Sequence, residues 1–89
     1  MIELFETRLG NKHKATGFTR HTSNGVELPA PFWLRIGQYE EDPDGYYLLY
    51  LDENLAEQTD TYHGSVADAM EQARLEFRVE AGDWLKIAS

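Results

Sequence analysis

The sequence predicts an α+β domain of two layers, an antiparallel β-meander of three to five strands with one C-terminal helix packed on one face. Three observations lead there. Apolar and polar side chains alternate through residues 32–39, the β-forming run Tyr46-Tyr47-Leu48-Leu49-Tyr50-Leu51 follows a turn, and Val66, Met70, Ala73 and Phe77 recur at spacings of four, three and four. With 89 residues the chain has room for one core, because two would each sit near the ~40-residue lower limit for unaided folding. A hydrophobic content of 42% with 12% aromatics argues against disorder.

Taken in order, residues 2–7 alternate Ile2 and Leu4 against Glu3 before Phe5 and Glu6 break the pattern, which predicts a short first strand. Residues 10–14 are polar and turn-like, residues 15–21 offer a second strand around Phe18, and Thr22-Ser23-Asn24-Gly25 is a loop. Pro29-Ala30-Pro31 is a stiff extended lead, since proline fixes its own φ and keeps its predecessor out of the helical region. Phe32, Leu34 and Ile36 then share one side of a strand, with Trp33, Arg35, Gly37 and Tyr39 on the other. Glu41-Asp42-Pro43-Asp44-Gly45 reverses the chain into the tyrosine-rich strand, and Asp52-Glu53-Asn54 reverses it again into residues 57–62.

Ser65 opens a helix over residues 65–78: its hydroxyl can cap the first turn, Asp68 favours the positive end of the helix dipole, and no glycine or proline interrupts. Glu80-Ala81-Gly82 ends it. Residues 84–87 then form an edge strand or fold back against the helix end.

The register of the central hairpin selects the surface. Pairing Tyr39 with Tyr46 sets Ile36 against Leu49 and Leu34 against Leu51, so that Phe32, Leu34, Ile36, Leu49 and Leu51 join the helix stripe in the core. A slip of one residue would turn Tyr47, Leu49 and Leu51 outward, exposing more aliphatic surface, and is disfavoured for that reason. The expected partner-binding set is therefore Trp33, Arg35, Tyr39, Tyr46 and Tyr50 on the open sheet face, with Glu41 and Asp42 in the adjoining loop. The competing expectation is that the N-terminal segment, with Phe5 and Phe18, folds across those rings as a second minor core.

Charge is divided unevenly. Residues 1–39 carry a net +2 and residues 40–89 a net −10, giving −8 overall. An acidic second half repels phosphate backbones and favours a basic protein partner over nucleic acid, while also keeping a small protein in solution. Lack of cysteine excludes disulfide scaffolds, cysteine-ligated zinc and thiol nucleophiles. The longest apolar run, six residues, is far short of the ~18 needed for a membrane span, and the acidic opening residues do not read as a signal peptide. The expectation is a soluble, cytoplasmic protein that does not engage membranes, with an edge strand as its route to a homodimer.

Candidate chemistry is thin. Asp60, His63 and Ser65 have the residue types of a hydrolytic triad but lie within six positions, and Ser65 is better explained as a helix cap. His13 and His21 lack metal-site spacing, the aspartates at 42, 44, 52 and 60 lack the calcium-loop pattern, and no phosphate-binding glycine motif occurs. No catalytic, metal or cofactor role is expected.

From Tyr46-Tyr47-Leu48-Leu49-Tyr50-Leu51-Asp52 through Thr59-Asp60-Thr61-Tyr62-His63 and Ser65-Val66-Ala67-Asp68-Ala69-Met70 to Phe77 and Trp84, the C-terminal half resembles a group of small uncharacterised bacterial proteins. It also resembles the strand-strand-helix core of HicB-type antitoxins and of some immunity proteins. The resemblance covers about half the chain, includes no catalytic motif and lacks the further DNA-binding segment of such antitoxins. It implies a partner-binding core. The expected function is a noncatalytic protein-interaction module, the alternative a small-ligand-binding accessory domain using the aromatic sheet face.

Overall fold

In the computed structural model, which describes residues 1–10, 13–18 and 21–87, the alternating stretches become an antiparallel sheet of five strands. These are β1 (Ile2–Arg8), β4 (Trp33–Gln38), β5 (Tyr46–Leu51), β6 (Glu57–His63) and β7 (Leu85–Lys86), ordered β6-β5-β4-β1-β7. Two short strands, β2 (Thr22–Ser23) and β3 (Val26–Glu27), form a separate ribbon. The ribbon replaces the expected loop at residues 22–25. Asn24 and Gly25 both take positive φ, 54° and 80°, the left-handed pair that a two-residue hairpin turn requires. No strand occurs among the described residues of 15–21; Thr19 and Arg20 lie outside the described set, as do Asn11 and Lys12 of the expected turn before them.

The helix α1 (Val66–Phe77) follows its sequence signals closely. Ser65 Oγ accepts the Asp68 amide at 3.0 Å, and the chain leaves the helix through Arg78 in a left-handed conformation. Ser65→Ala is expected to lower the unfolding free energy by ~0.5–2 kcal/mol, read as a lower urea midpoint at unchanged slope. After α1, a single turn of 3-10 helix (Ala81–Asp83) leads into β7, which pairs with β1, so that of residues 84–87 Leu85 and Lys86 form an edge strand. Trp84 is buried in the core beside it.

The core lies between α1 and one sheet face: Leu34 and Ile36 of β4, Leu48 and Tyr50 of β5, Ala69, Ala73 and Phe77 of α1, then Val79 and Trp84. Val66 and Met70 pack at its edge, so the helix stripe is as expected, with Ala69 and Ala73 fully buried. The hairpin register is not. Leu34 pairs with Tyr50 and Ile36 with Leu48, one residue away from the expected pairing. That single step moves Leu49 and Leu51 to the far face and brings Tyr46 and Tyr50 to the helix side. Two successive turns, Asp42 N–H to Tyr39 O at 3.1 Å and Gly45 N–H to Asp42 O at 3.3 Å, set the loop length that fixes this register. Phe32, expected in the core, is exposed because the chain bends there, just before β4 begins.

The aliphatic exposure that argued against this register does not arise. Leu51 lies opposite Trp33, and Leu49 between Arg35 and Asp60, so their larger neighbours leave them only 3% and 6% exposed. Tyr50, in turn, is accepted by the core because its hydroxyl finds a buried partner, the Glu76 carboxyl group.

Candidate protein-binding face

The face of the sheet turned away from α1 carries Glu3, Glu6 and Arg8 of β1, Trp33 and Arg35 of β4, Tyr47, Leu49 and Leu51 of β5, and Asp60 and Tyr62 of β6. The described residues of the N-terminal segment do not cover it. Phe5 points to the helix side and packs at the core, while Phe18 is exposed. Residues 13–18 instead run to the C-terminal end of α1, where the Thr16 amide donates to Glu76 O at 2.8 Å and the Thr16 hydroxyl to Leu75 O.

At one end of this face a β-bulge has a specific effect. Residues three apart on a regular strand point to opposite faces, but the irregularity between Glu3 and Phe5 restores parity, so Glu3 and Glu6 both flank Arg35. The guanidinium is held at 2.7 Å from Glu3 and 3.1 Å from Glu6. Arg35 is therefore engaged within its own sheet, and Arg8 caps the Trp33 ring at 5.6 Å.

The other end holds an aromatic ladder. Tyr39 meets Tyr47 edge-on at 5.0 Å and Tyr47 meets Tyr62 at 5.1 Å, both near-perpendicular contacts. Gly45 lies buried under the Tyr62 ring, where a β-carbon would collide with it, so the turn glycine is what lets Tyr62 lean over the hairpin. Tyr62 remains 55% exposed. Glu41 is exposed and Asp42 half-buried in the same hairpin. Lost hydration first, and then the charge of Asp42, push the Tyr47 and Tyr62 hydroxyls above the ordinary phenol range; Asp60 adds to this at Tyr47, Asp44 at Tyr62. The rings thus sit in a negative field.

Of the expected partner-binding set, Trp33, Tyr39, Glu41 and Asp42 stand on or beside this face, and Arg35 stands there in internal ion pairs. Tyr46 and Tyr50 belong to the opposite side. Tyr47 and Tyr62 take their places. Tyr47 was visible only in the slipped register; Tyr62 follows from the same register, because β6 pairs Tyr62 with Tyr47.

The Asp60, His63, Ser65 grouping does not converge, since Asp60 and His63 lie on opposite faces of β6 and Ser65 caps α1. His63 Nε2 is 2.7 Å from Thr61 Oγ1, and burial lowers its pKa below the ordinary imidazole value against the opposing charges of Asp68 and Glu76. The two loop histidines have structural partners. His13 is buried, with Nδ1 accepting the Gly10 amide at 3.0 Å and Nε2 donating to Asp83 Oδ2 at 2.8 Å. His21 Nε2 lies 2.8 Å from Glu76 Oε1, and its ring packs on Tyr50 at 4.4 Å.

Glu76, only 2% exposed, is thus a shared anchor for His21, the Tyr50 hydroxyl and Gln72 Nε2. Burial, then the bond to Glu76, raises the Tyr50 pKa far above its ordinary value, so that hydroxyl stays a donor. Beside this cluster is a cavity of about 130 Å³, walled by Leu28, Pro29, Pro31 and Phe77 and by the His21 and Tyr50 rings. Nothing local in the sequence signals it, because its walls come from separate stretches of chain. No helix among the described residues is long and apolar enough to cross a membrane. Compared with protein-family models, curated proteins and solved structures, the chain matches none.

Proposed function

We propose that this protein is a small noncatalytic binding module of the bacterial cytoplasm that grips a basic segment of a partner protein. Its contact surface is the Tyr39, Tyr47 and Tyr62 ladder with Asp42, Asp44 and Asp60. The single observation that carries the reading is this ladder, edge-to-face on an uncovered sheet face and set in a negative field. Lysine and arginine side chains fit it twice over, through the carboxylates and over the ring faces. The overall charge of −8 would also speed encounter with a basic partner and repel nucleic acid. This is the partner-binding role that resemblance to antitoxin and immunity-protein cores implies.

Charge should govern association and packing dissociation. Against a partner captured from lysate, surface plasmon resonance should show that Glu41→Lys with Asp42→Lys slows association and flattens its salt dependence. Tyr62→Ala, which removes the most exposed ring of the ladder, should speed dissociation on the order of tenfold, the ratio that ~1.4 kcal/mol of lost contact represents. Kinetics indifferent to both changes would move the interface to another face.

A further inference from the structure

On the opposite side of the sheet from the tyrosine ladder, the cavity beside the His21, Tyr50 and Glu76 cluster has the size, walls and charge of a ligand site. Its volume of about 130 Å³ is close to that of the ~150 Å³ protein cavity known to take up benzene, so its capacity is one six-membered ring. Flat surfaces surround it: the rings of His21, Tyr50 and Phe77, and the pyrrolidine rings of Pro29 and Pro31. His21 and Tyr50 are held rigidly, each by its bond to the buried Glu76.

Polar groups are few and of one character. Thr59 faces the cavity from β6, and the irregularity between Tyr50 and Leu51 in the β5–β6 pairing leaves Gln58 without a partner in the ladder, turning it to the same lining. Glu27, on the ribbon strand β3, adds an exposed carboxylate. No lysine or arginine lines the cavity among the described residues, and the basic group that does, His21, already faces the Glu76 carboxyl group. Among the described lining residues, an anionic ligand would meet the Glu27 carboxylate and no uncompensated cation. A ligand with a positive or hydrogen-donating substituent would meet Glu27 while its ring lay between prolines and aromatics.

We infer that this cavity binds a monocyclic aromatic molecule bearing an amine or similar donor, ring inward and donor toward Glu27. The site is separate from the tyrosine ladder, and its test is independent of partner binding. The ¹⁵N-labelled protein is titrated with benzylamine, benzyl alcohol and benzoate while amide resonances are followed by NMR. Benzylamine should cause saturable shifts at His21, Thr59 and Phe77 and none at Tyr47 or Tyr62, with benzoate about tenfold weaker or worse, a gap of ~1.4 kcal/mol. Glu27→Gln, on the exposed ribbon, should bring benzylamine down to the affinity of benzyl alcohol. Ala30→Phe, which fills the lining from an exposed loop position, should abolish the response of all three while leaving the melting temperature within a few degrees. Absence of saturable shifts, equal affinity for benzoate and benzylamine, or a response that survives Ala30→Phe in a folded protein would each overturn the assignment.

Discussion

Phe77→Ala is expected to lower the unfolding free energy by ~3–5 kcal/mol, measured by urea denaturation at constant slope. Phe77 closes the last turn of α1, is buried in the core and meets Tyr50 with ring centroids 6.3 Å apart. Its ring also forms one wall of the 130 Å³ cavity. Truncation therefore enlarges an existing void, and the flanking prolines are poorly able to collapse into it, which places the cost in the upper part of the range for aromatic truncations. Against a total stability of roughly 5–15 kcal/mol for a domain, the loss should be visible as a much lower midpoint. A change below about 1 kcal/mol, the scale of surface substitutions, would refute the core assignment.

The second large effect is expected at Glu76. Glu76→Ala removes one acceptor that serves the Tyr50 hydroxyl, His21 Nε2 and Gln72 Nε2 together. Gln72 and His21 are half-buried and have routes to water; the Tyr50 hydroxyl is enclosed, with the residue 1% exposed. Taking the carboxylate acceptor from such an enclosed donor costs ~1–3 kcal/mol, to which the lost anchorage of His21 adds. The diagnostic comparison is the pair Glu76→Leu with Tyr50→Phe. Removing donor and acceptor together should recover most of the loss, because apolar groups of similar shape need no partner. A double variant as unstable as Glu76→Ala would show that the glutamate acts through something other than the tyrosine.

Local signals, where the chain carries them, determined the outcome by themselves. Ser65 with Asp68, an uninterrupted helical stripe and the absence of glycine or proline specify α1 within a residue at either end, since caps and periodicity act over one or two turns. The β4-β5-β6 meander was equally legible, because β-forming runs separated by aspartate- and glycine-rich turns have few other ways to fold. The fault in alternation that Phe5 and Glu6 show in the sequence lies beside the bulge, which the structure places between Glu3 and Phe5 and which brings two glutamates onto Arg35.

What only the tertiary structure decided is which face of β5 is which. A strand has period two, so one step of register exchanges its faces completely, and alternation in a run as uniformly apolar as Tyr46 to Leu51 does not mark the inner one. The choice depends on partners far along the chain. Glu76, 26 residues after Tyr50, makes a tyrosine hydroxyl acceptable in the core, while Trp33 and Arg35 shelter Leu51 and Leu49 on the other side. The same register that moved Tyr50 inward assembled Tyr39, Tyr47 and Tyr62 outside, and the histidine anchored on Glu76 now lines a cavity. Strand and helix identity rest on neighbours within a turn; the faces, and so the sites, rest on long-range hydrogen bonds and packing that no local window of sequence contains.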